Sequence, residues 1–584
     1  MQKTNLLFGQ DDQQILVNHD QNFQLTTNLS SFAHAQVKVI SPEDAHTPLS
    51  LNEVPTAHLP ALLLEFGEII QELTEEDPST PQGQPMIASE GWIEFSYQLQ
   101  LDEAAIKKAS QTGHLSWDFS ARHEQPRNLA CLALDDQGFP FWLFNEDTDQ
   151  PAADALLHRF SVPIPLSEAD IQPTATTIQP FHRLHLKMIS VSSEGESTEV
   201  LPRLLYKIER MLYARGLGFG RMTGPIEPLV SLRGRLAKWK KRSSVFKPAF
   251  SNWQPLEGKP CLLIIHGTIA DDYIAFNGLG RWTQVDGGRY DELYQHYEGR
   301  IISFNHYTLA DSAEDNAQKL VHELLAKIPR SPGQRFDLQL DVLTRSRGAN
   351  VLRHLVTMKE QLSKQGIHLS IGKVFSVAPP HFGTPLADPG RLKAYLQFHT
   401  FFLYLLPSST ALTVLLALSG IAIAVARNLK SLPGIQSMSN RSLEFRELVK
   451  KENALLQAGE VAYTEWASYI SNYQPTAGLR GKILQRLAIY LADRTFVDNF
   501  FDEANDMVIP VSSALTEANK PRLPGSRTNM EFSIPPQHRK SGPESFNHLT
   551  YVKAKGDKGR PQYGDEQLLD EIVSFFTVLP PPVT

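Results

Sequence analysis

Cysteine is nearly absent from this 584-residue chain, which carries Cys131 and Cys261 and no others. Two thiols cannot build the framework that staples small secreted domains. Cys261 opens an apolar run, Cys261–Ile265, that reads as a buried strand, so both thiols are expected reduced. Neither stands with histidines or carboxylates at metal-ligand spacing, and no metal or organic cofactor is expected. An excess of positive charge is missing too: a net charge of −8 gives no nucleic-acid footprint. The opening residues Met-Gln-Lys-Thr-Asn-Leu-Leu-Phe-Gly-Gln run into charged and amide residues instead of a long apolar core. No cleavable signal peptide is therefore expected, and the expected location is cytoplasmic, with membrane association through an apolar segment described below. The length exceeds one ordinary core, so two or more domains are expected.

What is present centres on Leu340-Asp-Val-Leu-Thr-Arg-Ser-Arg-Gly-Ala-Asn-Val-Leu352, where an apolar strand runs into a Ser and then directly into a helix. A serine hydroxyl is a weak nucleophile. Lifting it onto a tight strand-to-helix turn lets a base reach Oγ and places developing negative charge at a helix N-terminus. Ser346 has that placement. Read alone, it is equally an ordinary helix N-cap. Other pieces occur in a compatible order. Upstream, Cys261–Ile265 ends in His266-Gly267-Thr268, a loop able to offer a backbone N–H, and the residue after the nucleophile, Arg347, offers a second. Downstream, Asn505-Asp506 precedes the short run Met-Val-Ile-Pro510, and Asn547-His548-Leu-Thr-Tyr551 supplies a late histidine. Asp502 and Asp388 compete with Asp506, and His538 with His548. Arg345 and Arg347 read either as solvated charges or as cations selecting an anionic substrate group. His266 reads as a holder of its loop.

These stretches, together with Ala378-Pro-Pro-His-Phe-Gly-Thr-Pro-Leu-Ala-Asp388, resemble the lipase-like branch of the α/β-hydrolase superfamily over residues of about 258–578. The sequence departs from that family's Gly-x-Ser-x-Gly pattern at Thr344, and it carries Arg345 where a His commonly precedes the Ser. The resemblance implies an α/β fold with a mostly parallel sheet and a triad of Ser346, Asp506 and His548. Thr268 and Arg347 would form the oxyanion hole. It implies acyl transfer on carboxylic esters, with acyl-ester or lipid substrates, through an acyl-enzyme intermediate. Amidase, thioesterase or protease chemistry with the same triad remains open, as does a catalytically inactive binding or membrane-associated module.

Around that domain the chain divides by composition. Residues 1–215 carry β-prone runs near Ala35–Ile40, Trp92–Leu99, Leu129–Leu134, Phe139–Phe144 and Leu184–Val191, and are expected to form a β-rich accessory domain. Its protein partner is not readable. Residues 216–257 form a basic linker, with seven Lys or Arg between Arg233 and Lys247, that reads as a solvated segment or as one lying on an anionic membrane. From 258 onward, strands at Cys261–Ile265, Arg300–Phe304, Phe336–Leu343 and Leu369–Val377 alternate with helices at Ala313–Ile328 and Gly348–Lys364. A helical cap or lid insertion is expected at about 384–492. Within it Ala394–Ala426 has no Lys, Arg, Asp or Glu. Ser408–Ala426 approaches the roughly 20 residues that span a bilayer; apolar lid helices or a buried hairpin are the alternatives. Pro521–Pro543 reads as a loop and Glu566–Leu579 as a closing amphipathic helix.

Overall fold

Strands buried on both faces need continuous apolar sequence, and this chain supplies it at Pro260–Ile265 (PCLLII) and Ile301–Asn305 (IISFN), which are buried at every position after Pro260. They lie in a seven-stranded sheet of the computed structural model. Its described residues are 252–268, 270, 275–279, 289–329, 333–387, 432–458, 463–471, 506, 508–515 and 566–578, with the backbone of strands elsewhere. The strands are β1 (Gly218–Gly220), β2 (Pro260–Ile265), β3 (Ile301–Asn305), β4 (Phe336–Arg345), β5 (Ile367–Val377), β6 (Tyr463–Ser471) and β7 (Thr528–Phe532). Their spatial order is β1-β3-β2-β4-β5-β6-β7. Every pairing is parallel except that of the edge strand β1 with β3. From β2 the chain steps outward to β3, then crosses to β4 and continues the other way. The direction therefore reverses between β2 and β4, and a crevice opens at the carboxyl ends of these strands. This is the α/β-hydrolase sheet, with helices between its parallel strands.

The helices form where apolar spacing and caps agree. In α1 (Arg289–His296) the residues Tyr290 and Leu293 are buried. Helix α2 (Ala313–Lys327) starts at a capping box: Ser312 Oγ accepts from Asp315 N, and the Asp315 carboxylate accepts from Ser312 N, both at 3.0 Å. Its buried stripe is Ala313, Asn316, Ala317, Leu320, Val321 and Leu324. Helix α3 (Gly348–Thr357) is buried from Gly348 to Val356, as befits a helix packed against both α2 and α6 (Leu443–Gln457). One continuous helix over 348–364 was the expectation. Instead Met358 leaves helical geometry at φ −101, ψ 7, and a short α4 (Lys359–Ser363) follows. The Met358 N–H bonds to Leu355 O, which tightens the last turn of α3 and breaks the ladder with no Gly or Pro to announce it. Helices α5 (Pro433–Gln436), α7 (Val511–Ala514) and α8 (Glu566–Thr577) complete the set used below.

Two expectations shift. Tyr463–Ser471 lies inside the span expected to be a helical insertion, yet it forms β6 beside β5, because its aromatic and β-branched residues suit a buried strand. Thr528–Phe532, inside the expected loop 521–543, pairs with β6 as β7. Residues 388–431, which include the apolar segment 394–426, lie outside the described residues, as does the linker apart from β1 and the residues from 252. Among the described residues no helix is long and apolar enough to cross a membrane.

Earlier in the chain the strands are antiparallel. Asn5–Leu6, Phe32–Ile40, Trp92–Leu101, Arg183–Ser192, Arg127–Asp135 and Pro140–Phe144 form one sheet in that order, and Gln14–Leu16, Gln24–Thr26, His114–Arg122 and Leu156–Pro163 form a second. Each β-prone run read from the sequence falls on a strand. Asn5–Leu6, Gln14–Leu16, Gln24–Thr26, His114–Arg122 and Leu156–Pro163 are additional.

A buried ion pair ties α3 to α6. Arg353 donates from Nε and Nη2 to the two Glu452 oxygens at 2.7 and 2.6 Å, while Nη1 donates to His381 O at 2.7 Å. Three segments are joined by one planar fork, a geometry that a lysine cannot copy. Removing one partner strands the other charge in the interior. Arg353→Met is therefore expected to lower the unfolding free energy by about 3–5 kcal/mol, and Arg353→Met/Glu452→Leu to recover most of that loss; urea titration of the three proteins checks both.

Candidate active site

The residue that closes β4 is Arg345, and the next, Ser346, has a left-handed backbone with φ 49. A non-glycine residue held there is strained by roughly 1–3 kcal/mol. What holds it is the packing of the turn. Ser346 N donates to Val377 O at 2.8 Å, and Ala349 N to Ser346 O at 3.1 Å. The turn also lies against the end of β2 with no room for side chains: a Cβ on Gly348 would sit 2.5 Å from Ile265 O and 2.7 Å from His266 O, and one on Gly267 would sit 2.8 Å from Ser346 Cβ. Both positions need glycine. The strand-turn-helix geometry read from the sequence is therefore present around Ser346.

The first glycine of the usual pattern is replaced by Thr344, and its surroundings explain how. Thr344 pairs with Ser376 across the sheet. Thr344 Oγ1 donates to Ser376 Oγ at 2.8 Å, and Trp466 Nε1 donates to the same oxygen at 2.9 Å. A small hydroxyl on β5 leaves space for the threonine and satisfies it, so the buried polar group is compensated.

Thr268 follows Gly267 at the mouth of β2, and its Oγ1 meets Met438 Sδ at 3.6 Å. Behind it His266 is fully buried. Its Nε2 accepts from His306 N at 3.1 Å, so the proton sits on Nδ1, which faces Gly267 O at 3.0 Å. Both ring nitrogens are thus engaged in shaping the loop. The His306 ring stacks on His266 with centroids 4.0 Å apart. Burial pushes the His266 pKa down to about 3, with the charges of Arg347 and Arg345 acting in the same direction and the Gly267 hydrogen bond opposing. His306 is also held well below the usual histidine range, first by burial and then by His266 and Arg347. The structure keeps both rings neutral.

Arg345 and Arg347 are buried, which corrects the reading of either as a solvated charge. Arg345 Nη1 lies 3.4 Å from Ala275 O. Arg347 is fully buried: Nε donates to Gly434 O at 3.0 Å and to Ser437 Oγ at 3.1 Å, and Nη2 donates to Asp311 O at 2.6 Å. The Asp311 carboxylate meets Lys319 at 2.5 Å. None of His306, Asp311, Gly434 or Ser437 was singled out from the sequence; the run Phe304-Asn-His-Tyr-Thr-Leu-Ala-Asp311, continuing β3 without a turn signal, was the available hint.

Asp506 is buried at the same edge of the sheet. Its Oδ1 accepts from Val508 N at 3.0 Å and Ile509 N at 2.7 Å, and its own N–H donates to Ile509 O at 3.2 Å. Thr384 Oγ1 donates to Val508 O at 2.6 Å, and Ser513 Oγ accepts from Phe382 N at 3.1 Å. These bonds fasten the Asp506 turn to the loop that leaves the carboxyl end of β5, one strand from Ser346. Asp388, Asp502, His538 and His548 lie outside the described residues.

Two outcomes follow from this geometry. Ser346→Gly relieves the left-handed strain while Ser346→Ala keeps it, so the glycine variant should be the more stable by about 1 kcal/mol, measured by urea unfolding at pH 7. For His266, the unfolded chain takes up a proton as pH falls below 6.5, whereas the folded protein refuses it down to about 3. Its contribution to stability is complete above 6.5 and is lost as pH drops through that window. His266→Gln should show a shallower loss of stability between pH 7 and pH 4 than the parent.

No curated protein matches. Among solved structures, lipase 1 from Pelosinus fermentans is 13% identical, with 56% of this chain and 100% of that one covered at a TM-score of 0.35. A metagenomic carboxyl esterase is 14% identical, with 58% and 80% covered at 0.24. A type II thioesterase from the yersiniabactin biosynthetic pathway is 14% identical, with 42% and 85% covered at 0.20. The family described as Domain of unknown function (DUF7379) matches residues 227–541, over half of the chain and including the Ser346 turn and Asp506; the chain belongs to that family.

Proposed function

We propose that this protein is a serine hydrolase that cleaves carboxylic esters of acyl or lipid type by acyl transfer. The observation that carries the reading is the strained backbone of Ser346, with φ 49, at the junction of a buried parallel strand and the helix behind it. Such strain survives only where the fold over-determines it, and it presents Oγ at the top of the sheet. In this reading His548 takes the Ser346 proton, and Ser346 Oγ attacks the ester carbonyl. The Thr268 and Arg347 N–H groups hold the tetrahedral oxyanion. His548 then protonates the leaving alcohol, and water releases the acyl group by the same steps. Asp506, with its Oδ1 fixed by two backbone N–H groups, holds the imidazole tautomer and stabilises imidazolium.

The lipid-like substrate class is supported by the composition of 394–426 and by the described residues on either side of 388–431. Those meet: Thr384 N donates to Met438 O at 2.9 Å, and a Cβ on Gly383 would touch Asn440 N at 2.7 Å. Gly434 in turn touches the Arg347 side chain. The described residues before 388 and after 431 thus lie together beside Arg347, and a segment between them without Lys, Arg, Asp or Glu over 394–426 is in keeping with an apolar acyl chain. Peripheral contact with a lipid surface belongs to the same reading.

The test is fluorophosphonate labelling of the full chain, with and without detergent or lipid vesicles, alongside turnover of p-nitrophenyl esters of graded chain length. Labelling and turnover are expected in the parent and should vanish in Ser346→Ala and His548→Ala, because losing the nucleophile removes triad-dependent catalysis. A folded parent that neither labels nor turns over under any of these conditions would remove the enzyme reading.

A further inference from the structure

The guanidinium of Arg347 is fully buried. Placing a guanidinium in the interior is costly unless its N–H groups find acceptors. Its acceptors include two backbone carbonyls, Asp311 O and Gly434 O, and one hydroxyl, Ser437 Oγ. They come from two places far away in sequence: the loop between β3 and α2, and the helix α5 with its C-cap Ser437. Ser437 Oγ also donates to Gly434 O at 2.8 Å, and Gly434 lies so close to the Thr308 backbone that no Cβ fits between them. The arginine thus grips two segments that already grip each other. Its own backbone, at the N-cap of α3, is the one whose N–H the acyl-transfer reading assigns to the oxyanion hole.

We propose that Arg347 is a positioning residue, whose guanidinium fixes the Arg347 N–H of the oxyanion hole by bracing the turn against Asp311 and against the Gly434–Ser437 segment. The proposal rests on the acyl-transfer reading above. An oxyanion donor works by being held in place before charge develops, so a small displacement weakens the transition state while leaving ground-state binding almost untouched.

Arg347→Lys, Arg347→Met and Ser437→Ala are compared with the parent by burst titration of active sites, steady-state kinetics on a p-nitrophenyl ester, the second-order rate of fluorophosphonate labelling, and thermal unfolding. In the two arginine variants kcat per titrated site and the labelling rate should fall together by about 10- to 100-fold, with KM changed by less than about threefold. Ser437→Ala, which keeps Gly434 O as an acceptor, should lose a smaller factor in the same direction. Variants that unfold at lower temperature but keep the parent kcat per titrated site would overturn the proposal, since that is what a purely structural arginine predicts. If Arg347→Met does not fold, the lysine and Ser437 variants decide by the same criterion. An inactive, unlabelled parent would instead fail the acyl-transfer reading and the proposal with it, whereas an active parent with unaffected variants would fail the proposal alone.

Discussion

The approach of the Ser346 turn to the end of β2 is the constraint on which the rest of the site depends. With Gly348 placed where any Cβ would meet Ile265 O and His266 O, and Gly267 placed where one would meet Ser346 Cβ, two backbones share a space that side chains normally occupy. That proximity keeps Ser346 in its left-handed conformation and puts the His266-Gly267-Thr268 loop beside it. It also brings Arg347 to the junction of three segments. Packing at backbone distance is unforgiving, because neither partner can move away as a flexible side chain can. The site is rigid at its base for that reason, and its polar groups are placed by neighbours that are themselves fixed: His266 by His306 N–H, Asp506 by two amides, Thr344 by Ser376.

Electrostatics reinforce the same arrangement. Two buried arginines flank Ser346, and their charges add to burial in keeping His266 without a proton. A neutral His266 can accept from His306 N–H while donating to Gly267 O; a protonated one could not accept, and the loop would lose one of its two anchors. The cations beside Ser346 therefore help to hold the hydrogen-bond pattern that shapes the His266-Gly267-Thr268 loop.

The sequence disclosed the pieces of this domain that have a local signature. β2 to β5 are readable to within two residues, β2 and β3 as continuously apolar runs and β4 and β5 as apolar residues in alternation that end in an apolar stretch, and the Ser346 turn is readable because a strand-to-helix turn of this kind needs small neighbours at fixed spacing. β6 and β7 were hidden for a different reason. Tyr463–Ser471 and Thr528–Phe532 contain several polar residues and are separated from β5 by long stretches of other character. The roles of Arg345 and Arg347 were hidden as well. A charge in sequence gives no sign of burial, and the acceptors that make burial of Arg347 tolerable lie 36 residues before it and 87 and 90 residues after it. Thr344 looked like a departure from the pattern; only its cross-strand neighbour Ser376, with Trp466 behind, shows why it fits.

The pairing of α1 with α8 bears on the order in which the domain can be completed. Arg289 on α1 bonds Asp570 on α8 at 2.6 Å across 281 residues of sequence. Lys373 of β5 reaches the carbonyls of Phe575 and Val578 at 2.8 and 2.7 Å. Leu568, Leu569, Ile572, Val573 and Phe576 of α8 are buried. During synthesis, α1 and β5 emerge long before this partner exists. Until residues 566–578 arrive, a nascent chain holding the Ser346 turn must carry an uncovered apolar flank. Contacts so distant close slowly and leave sticky surface exposed meanwhile, so in the cell this domain should mature only after translation has passed α8 and should lean on chaperones until then.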